Sequence, residues 1–240
     1  MRTNLTRLSF TSPPRNLRFH SAAAMLPQPI MTILRMFRLS AVTALAGMAS
    51  LTFSSCASPV KSVSKRNVDG RTFDVPAYRP TNPRAVRVKA SVNNHAVYVM
   101  EGNKPLLVTP ASFGAPEHGT PLGNHTAYAR IRNKRSMSYG KYPMPFWVEF
   151  KPGYGFHGGW VHAVNKSHGC VRLPWNVAPK FWELVPLGTP MSILPNQPED
   201  ATIGKNIPRL NDAAAPEWPQ NVLWTDRVFH ITDGKKVFAD

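Results

Sequence analysis

The distribution of proline is the strongest constraint on how this chain folds. Proline accounts for 24 of the 240 residues, against an average usage of roughly 5%. Seven of these prolines lie between Pro76 and Pro121. Because proline lacks an N–H group and clashes with the preceding helical turn, long helices are excluded there. The sequence therefore predicts a β-rich domain with many loops, and a hydrophobic fraction of 42% is enough for a core.

Alternating apolar residues predict where the strands lie. Valines at 86, 88 and 92 alternate with polar residues at 87, 89 and 91, and a hairpin follows in which 97–99 and 106–108 flank a turn at 101–104. Further strands are predicted at 126–132, 146–150 and 191–194.

One helix and a C-terminal hairpin are predicted in the second half of the chain. The helix spans 177–185, with Asn176 as its N-cap and Pro186 at its end. Residues 195–218 are rich in proline, aspartate and alanine, which is typical of a linker. The hairpin is predicted to pair 222–224 with 229–231.

Residues 31–56 have the pattern of an export signal. Arg35 and Arg38 precede an uncharged run, and small residues follow it. The run, residues 39–53, is too short for a membrane span, which needs about 20 apolar residues. Residues 1–30 are then an upstream extension that the mature protein lacks.

The end of this signal resembles a bacterial lipoprotein signal, in which cleavage leaves an N-terminal cysteine that is lipidated. Cys56 is that cysteine, although Phe53 stands where such signals usually have leucine. Ordinary cleavage near Ala57 is the alternative. The resemblance predicts an exported protein with membrane attachment through Cys56.

The charge of the chain is strongly positive, at +16. Residues 61–240 carry 23 basic and 13 acidic residues, so about +10 remains in the expected mature protein. A basic surface favours a polyanionic neighbour such as nucleic acid, anionic lipid or a carboxylate-bearing polymer of the cell wall. Charge alone leaves these alternatives open.

The second cysteine, Cys170, follows His157 by thirteen residues. A thiol becomes a good nucleophile when a proton-accepting partner lowers its pKa and its loop exposes it, and imidazole is the usual partner. The backbone N–H groups of Gly169 and Cys170 can form an oxyanion hole. We expect no disulfide, because Cys56 and Cys170 lie in separate segments.

Two other interpretations of this region are available. A lone cysteine is often simply a small buried apolar residue. Zinc binding is the second, with His157, His162, His168 and Cys170 as ligands. The ligand spacing is not typical of zinc sites, however, and residues 151–182 contain no carboxylate that could orient a ligand. We expect no metal.

The segment 167–172, Ser-His-Gly-Cys-Val-Arg, resembles the signature of the L,D-transpeptidase catalytic domain, also called the YkuD domain. The upstream segment 156–159, Phe-His-Gly-Gly, resembles the same family, as do 86–114, 120–123 and 144–147. The resemblance covers about 85–195 and implies a mainly β fold, a YkuD-like β-sandwich with mixed sheets and one short helix after the cysteine motif. The chain then divides into an extension (1–30), a signal (31–56), a linker (57–84), a catalytic domain (85–195) and a linker with a tail (196–240).

The resemblance also implies roles for individual residues. Cys170 is the nucleophile and His157 its base, and the main-chain carbonyl of Gly158 is the third catalytic element. Arg172 holds a substrate carboxylate, and Trp160 lines the substrate cleft. Gly169, Gly158, Ser167 and His168 shape the loop that contains the nucleophile and the oxyanion hole.

The implied reaction is acyl transfer between peptidoglycan stem peptides in the cell envelope, with no metal or organic cofactor and no nucleic acid partner. With water as the acceptor the enzyme is an L,D-carboxypeptidase. A different class of function, a non-catalytic peptidoglycan-binding lipoprotein, does not need both His157 and Cys170. A papain-like protease would have its cysteine before its histidine.

Overall fold

The structure is a computed structural model that describes residues 71–212 and 216–239. The predicted extension, the export signal and Cys56 all lie outside those ranges. Among the described residues no helix is both long and apolar enough to cross a membrane.

Within the described ranges the strands form two mixed sheets, and the predicted fold class is confirmed. In the first sheet, of order β3-β2-β1-β9-β4, only β1 and β9 pair in parallel. In the second, of order β5-β6-β7-β8, only β7 and β8 pair in parallel. The strands are β1 (Val86–Ser91), β2 (Ala96–Glu101), β3 (Lys104–Pro110), β4 (Gly123–Thr126), β5 (Ala129–Arg135), β6 (Pro143–Lys151), β7 (Tyr154–Gly158), β8 (Val171–Leu173) and β9 (Pro190–Leu194).

The predicted hairpin between 97–99 and 106–108 is present as β2 and β3. Gly102 has a φ of 59° at the turn, a conformation that glycine adopts without steric cost. The valines of β1 at positions 86 and 88 are buried while Arg87 between them is exposed. One face of this strand therefore contributes to the main core.

Helix α1 (Ala178–Leu184), the longest helix in the described ranges, confirms the helix predicted after the cysteine motif. Its buried face includes Phe181, whose ring stacks on Phe156 of β7 with centroids 4.8 Å apart. The predicted N-cap was wrong: the cap residue is Val177, and the Asn176 side chain instead donates to the carbonyl of Arg71, 2.7 Å away. Asn176 thus fixes the N-terminal flank to the domain.

The strand predicted at 126–132 is interrupted, because the chain changes sheets within it. Ala127 donates its N–H to Thr189 beside the first sheet, and Tyr128 donates to Glu149 in the second. β4 ends before this crossing and β5 begins after it. The alternation of side chains in the sequence does not reveal which sheet each half joins.

Both predicted linkers are packed where the structure describes them. Phe73 and Ala77, from the segment expected to be a tether, are buried in the main core. On the other flank Asp200 accepts hydrogen bonds from Ser91 Oγ and from the Tyr98 hydroxyl, each 2.7 Å long. These flanks therefore extend the folded unit beyond the sandwich.

The predicted C-terminal hairpin was wrong. The chain forms a short helix α2 (Gln220–Leu223) and a 3-10 helix (Asp226–Phe229), and Val228 and Phe229 pack against Trp175. Short apolar runs fit a strand and a buried helical turn equally well, so the pattern alone cannot distinguish them.

The connection between β7 and β8 is the element that positions the cysteine motif. Parallel neighbours need a long crossover, and here residues 159–170 supply it. Phe113 fixes this crossover, since its carbonyl accepts from the amides of both Lys166 and Ser167. An isolated bridge between Gly114 and Ser167 adds a further attachment.

Candidate active site

The parallel register of β7 and β8 places the sequence-predicted base next to the segment that contains the predicted nucleophile. His157 pairs with Arg172, and Cys170 lies two residues before Arg172 along the same strand direction. Paired residues of neighbouring strands project to one face, so His157 and Arg172 share a face of the second sheet. Cys170 directly precedes β8, and its sulfur accepts from the amide of Gly155, two residues before His157 on β7. β8 is the last strand of that sheet, and its outer edge forms an isolated bridge in which Ser112 and Arg172 exchange backbone hydrogen bonds.

The imidazole of His157 is held by its own neighbour. The side chain is only 5% exposed, and Nδ1 lies 2.9 Å from the carbonyl oxygen of Gly158. A carbonyl can only accept, so Nδ1 carries the proton and Nε2 has a free lone pair. The ring also stacks on Trp147, with centroids 5.9 Å apart. This is the orientation that a general base requires.

Burial controls the charge of this histidine. Removal from solvent lowers the pKa of His157 to about 4, with a smaller contribution in the same direction from the charge of Arg172. The hydrogen bond to Gly158 opposes this lowering. His157 is therefore neutral at physiological pH and able to accept a proton.

The thiol of Cys170 is half-buried against the turn between β6 and β7. Its Sγ lies 3.9 Å from the carbonyl oxygen of Gly153, and the amide of Gly155 donates to the sulfur. Burial raises the pKa of the thiol above its ordinary 9.0, although the Gly155 amide and the charge of Arg172 act in the opposite direction. The lowered thiol pKa expected from the sequence is thus absent from this resting arrangement.

Among the described residues no hydrogen bond joins the His157 ring to the sulfur of Cys170. Both groups are neutral at pH 7, because the pKa of one is lowered and that of the other is raised. The site therefore holds a protonated thiol and a neutral base. Proton transfer then has to accompany nucleophilic attack.

Ser167 shapes the loop in front of the nucleophile. Its hydroxyl donates to the carbonyl of Cys170, 2.6 Å away, and accepts from the amide of Gly169 at 3.1 Å. The Gly169 amide, predicted as an oxyanion donor, is therefore already engaged. Gly169 has a φ of 107°, and a Cβ there would lie 2.4 Å from the Tyr154 ring. Only glycine fits this position.

His168 is exposed and belongs to a group of rings beside the loop. It stacks on Tyr139 with centroids 4.0 Å apart and lies 4.9 Å from the His118 ring. Tyr139 comes from the turn between β5 and β6, and His118 from the 3-10 helix Pro116–His118. Neither was singled out from the sequence, since each lies about 30 or more residues from the motif.

Arg172 projects beside the cysteine without an ionic partner. No carboxylate in the described part of the chain lies within 4 Å of its guanidinium. Burial lowers its pKa, while Tyr142 and Cys170 act in the opposite direction. An incoming carboxylate could pair with this cation.

Trp160 is not a free side chain at the cleft. Its Nε1 donates to Glu217 over 2.8 Å, and its ring contacts Trp175 and Trp218 with centroid distances of 6.0 and 6.4 Å. No local pattern along the chain indicated these partners. Among the described residues no three His, Cys, Asp or Glu side chains converge as a metal site would require.

Comparison with known families adds the decisive observation. Residues 85–193 match the sequence model of the YkuD family, described as the L,D-transpeptidase catalytic domain. This segment is an L,D-transpeptidase catalytic domain. The resemblance of the cysteine motif to that family is thereby confirmed. No curated protein matches the chain significantly.

Solved L,D-transpeptidase structures are similar to the domain. One from Mycobacterium tuberculosis H37Rv is 27% identical over 46% of this chain and 57% of its own, with a TM-score of 0.41. One from Stackebrandtia nassauensis is 22% identical over 51% and 60%, with a TM-score of 0.42. A C442S mutant from Enterococcus faecium is 20% identical over 46% and 50%, with a TM-score of 0.42. The chain thus covers less than two thirds of each of these structures.

Proposed function

We propose that this protein is a peptidoglycan L,D-transpeptidase that uses Cys170 as its nucleophile. The donor is a tetrapeptide stem, and the reaction occurs at the carbonyl of its third residue. Transfer to an amine of another stem gives a 3-3 cross-link, and transfer to water trims the stem. The proposal rests on one observation: the neutral His157, with its free Nε2, lies on β7 two residues after Gly155, whose amide donates to the Cys170 sulfur.

In the first step, Nε2 of His157 takes the proton from Sγ while sulfur forms a bond to the donor carbonyl carbon. The carbonyl oxygen becomes an oxyanion, for which we propose the Cys170 amide as a donor. The Gly169 amide can join only if its bond to Ser167 opens. The carbon–nitrogen bond to D-Ala then breaks, and His157 returns its proton to the leaving amine.

In the second step, the acceptor amine attacks the thioester and passes a proton to Nε2 of His157. The carbon–sulfur bond breaks, and the sulfur regains that proton. The hydrogen bond from Nδ1 to Gly158 keeps the ring in the tautomer that both steps require. Gly158 therefore acts through its carbonyl and not through a side chain.

Arg172 is the proposed anchor for a carboxylate of the donor stem. A guanidinium can bind a carboxylate through two parallel hydrogen bonds. Support comes from the electrostatic interaction of its guanidinium with Cys170 and from its lack of an ion-pair partner among the described residues. Loss of this contact should weaken donor binding more than it slows the chemistry.

Mass spectrometry of muropeptides tests the proposal. The purified protein is incubated with a disaccharide tetrapeptide, and we expect a tetrapeptide dimer that has lost one D-Ala, or a tripeptide if water is the acceptor. A carbapenem should add its mass to the protein as a thioester. Cys170→Ala should abolish both, whereas His230→Gln, on the C-terminal flank, should retain both.

The outcomes also separate the second class of function. Tight binding of peptidoglycan without turnover or carbapenem adduct would favour the non-catalytic binding lipoprotein and contradict a transpeptidase. An adduct that persists in Cys170→Ala would show that another group is the nucleophile.

We further propose that the protein acts outside the cytoplasm and is attached to a membrane through lipidated Cys56. The export pattern of residues 31–56 and the extracytoplasmic substrate support this. N-terminal analysis of the protein from its own cell tests it. A diacylated Cys56 is the expected result, and a mature protein that begins at residue 57 or retains residues 1–30 would contradict it.

A further inference from the structure

The C-terminal flank reaches the candidate active site from outside the matched catalytic domain. Residues 216–239 follow the family match by more than twenty residues. The flank contacts the hairpin formed by β5 and β6: Arg135 donates to the carbonyl of Thr225 over 2.9 Å, and its guanidinium lies 4.9 Å from the Phe229 ring. Asp233 forms an ion pair with Arg132 at 2.5 Å. These contacts fix the flank against the hairpin.

Within this flank, the Glu217 carboxylate joins two separate parts of the site. Both of its oxygens lie 3.2 Å from the Tyr142 hydroxyl, at the start of β6. One of them also accepts from Trp160 Nε1, in the crossover after His157, over 2.8 Å. The same oxygen accepts the amide of Trp218 at 3.0 Å. Glu217 thus connects the hairpin to the crossover.

Arg172 lies near both of these connected elements. Gly159, next to Trp160, is so close that a Cβ on it would be 3.8 Å from Arg172 Cδ. On the other side, burial and, as the next largest cause, the charge of Glu217 raise the pKa of Tyr142. The charge of Arg172 acts on the same group and lowers its pKa by less. Tyr142 therefore keeps its proton and donates it to Glu217.

The crossover is also held from the N-terminal flank. The guanidinium of Arg71 lies 5.1 Å from the ring centroids of both Trp160 and Trp218. Glu217 is an acid near the site, yet its oxygens are directed at neutral donors and it makes no ion pair with Arg172. The carboxylate thus supports the walls around Arg172 and leaves the guanidinium available.

We propose that Glu217 is a positioning residue for donor recognition: by holding Tyr142 and Trp160 it sets the pocket in which Arg172 binds a carboxylate of the stem peptide. This inference rests on the proposed function. It predicts that Glu217 affects binding of a carboxylate-bearing donor and leaves the reactivity of the Cys170 thiol unchanged.

Steady-state kinetics of the full exported chain tests this proposal with the disaccharide tetrapeptide as donor. For Glu217→Ala we expect KM to rise about fivefold, the effect of roughly one lost hydrogen bond of ordinary net strength, with kcat changed less than twofold. Tyr142→Phe, which removes one of the donors, should give a smaller rise. Glu183→Gln, an exposed acid on α1, is the matched control and should leave both constants unchanged.

A sharper measurement compares KM for two amidated forms of the donor. One form carries an amide in place of the terminal carboxyl, and the other carries an amide in place of the side-chain carboxyl of the third residue. With the donor that lacks the carboxylate bound by Arg172, wild type and Glu217→Ala should have equal KM values. The Arg172→Gln variant should show the same pattern, because the two residues serve one contact.

The rate of alkylation by neutral iodoacetamide monitors folding and the thiol itself. Equal rates in wild type and Glu217→Ala are expected. A rate that falls in parallel with kcat/KM, or a KM penalty that persists with both amidated donors, would overturn the positioning role. Absence of turnover in the wild-type protein would instead count against the proposed function. This outcome is distinguishable, because wild type is measured before any variant is compared with it.

Discussion

Replacement of Ser167 by alanine tests whether one hydroxyl organises the nucleophile loop. Ser167 is 2% exposed and makes two hydrogen bonds, one to the Cys170 carbonyl and one from the Gly169 amide. Alanine would leave both backbone groups without that partner. A buried group without a partner costs roughly 1–3 kcal/mol. Since neighbouring effects do not simply add, we expect the free energy of unfolding to fall by about 2–4 kcal/mol.

Urea denaturation followed by tryptophan fluorescence measures this loss. With a slope of about 2 kcal/mol per molar urea, the midpoint should fall by about 1–2 M. The rate of carbapenem acylation should fall by about tenfold to a hundredfold, because the sulfur is no longer held in one position. The matched control is Ser138→Ala, an exposed serine in the turn between β5 and β6, and it should alter neither quantity.

Two results would refute this reasoning. An unchanged urea midpoint would mean that water replaces the hydroxyl without cost. A faster acylation in Ser167→Ala would mean that the released Gly169 amide is the more important oxyanion donor, and that Ser167 restrains the loop at the expense of catalysis.

Three further predictions concern charge and space at the site. Because burial raises the pKa of Cys170 above 9.0, the rate of alkylation by iodoacetamide should increase with pH up to at least pH 9. A plateau of this rate near neutrality would instead indicate a preformed thiolate and imidazolium. Because the pKa of His157 is about 4 when folded and 6.5 ordinarily, the unfolded chain binds its proton first as pH falls. The free energy of unfolding should therefore drop by up to about 3 kcal/mol between pH 6.5 and 4, and by less in His157→Gln. Identical pH dependence in urea titrations of both proteins would contradict this. Gly169→Ala should abolish carbapenem acylation, because its Cβ would overlap the Tyr154 ring. The control Gly188→Ala, also at positive φ but in open space, should lose only some thermal stability. Equal effects in the two variants would mean that backbone strain, not overlap, is responsible.

The hairpin of β2 and β3 and the helix α1 could be predicted because their signals are local. Alternating valines, a glycine turn and a proline stop each act within a few residues. The crossing from one sheet to the other at 127–128 had no such signal, because it depends on hydrogen bonds to Thr189 and Glu149, which are distant in sequence. The C-terminal flank was assigned wrongly for the same reason, since Trp175 decides how its apolar residues pack.

For the site, the sequence by itself determined the chemical groups: a cysteine, a histidine with a neighbouring carbonyl, and a cation two residues beyond the cysteine. The spacing of these groups along the chain resembles the motif of one family, and that resemblance was sufficient to name the proposed reaction. The charge state of these groups depended on the tertiary structure, because burial opposes the charged form of both His157 and Cys170. The contact between Glu217 and the loop after His157 likewise exists only once the chain has folded, because it joins residues 57 positions apart.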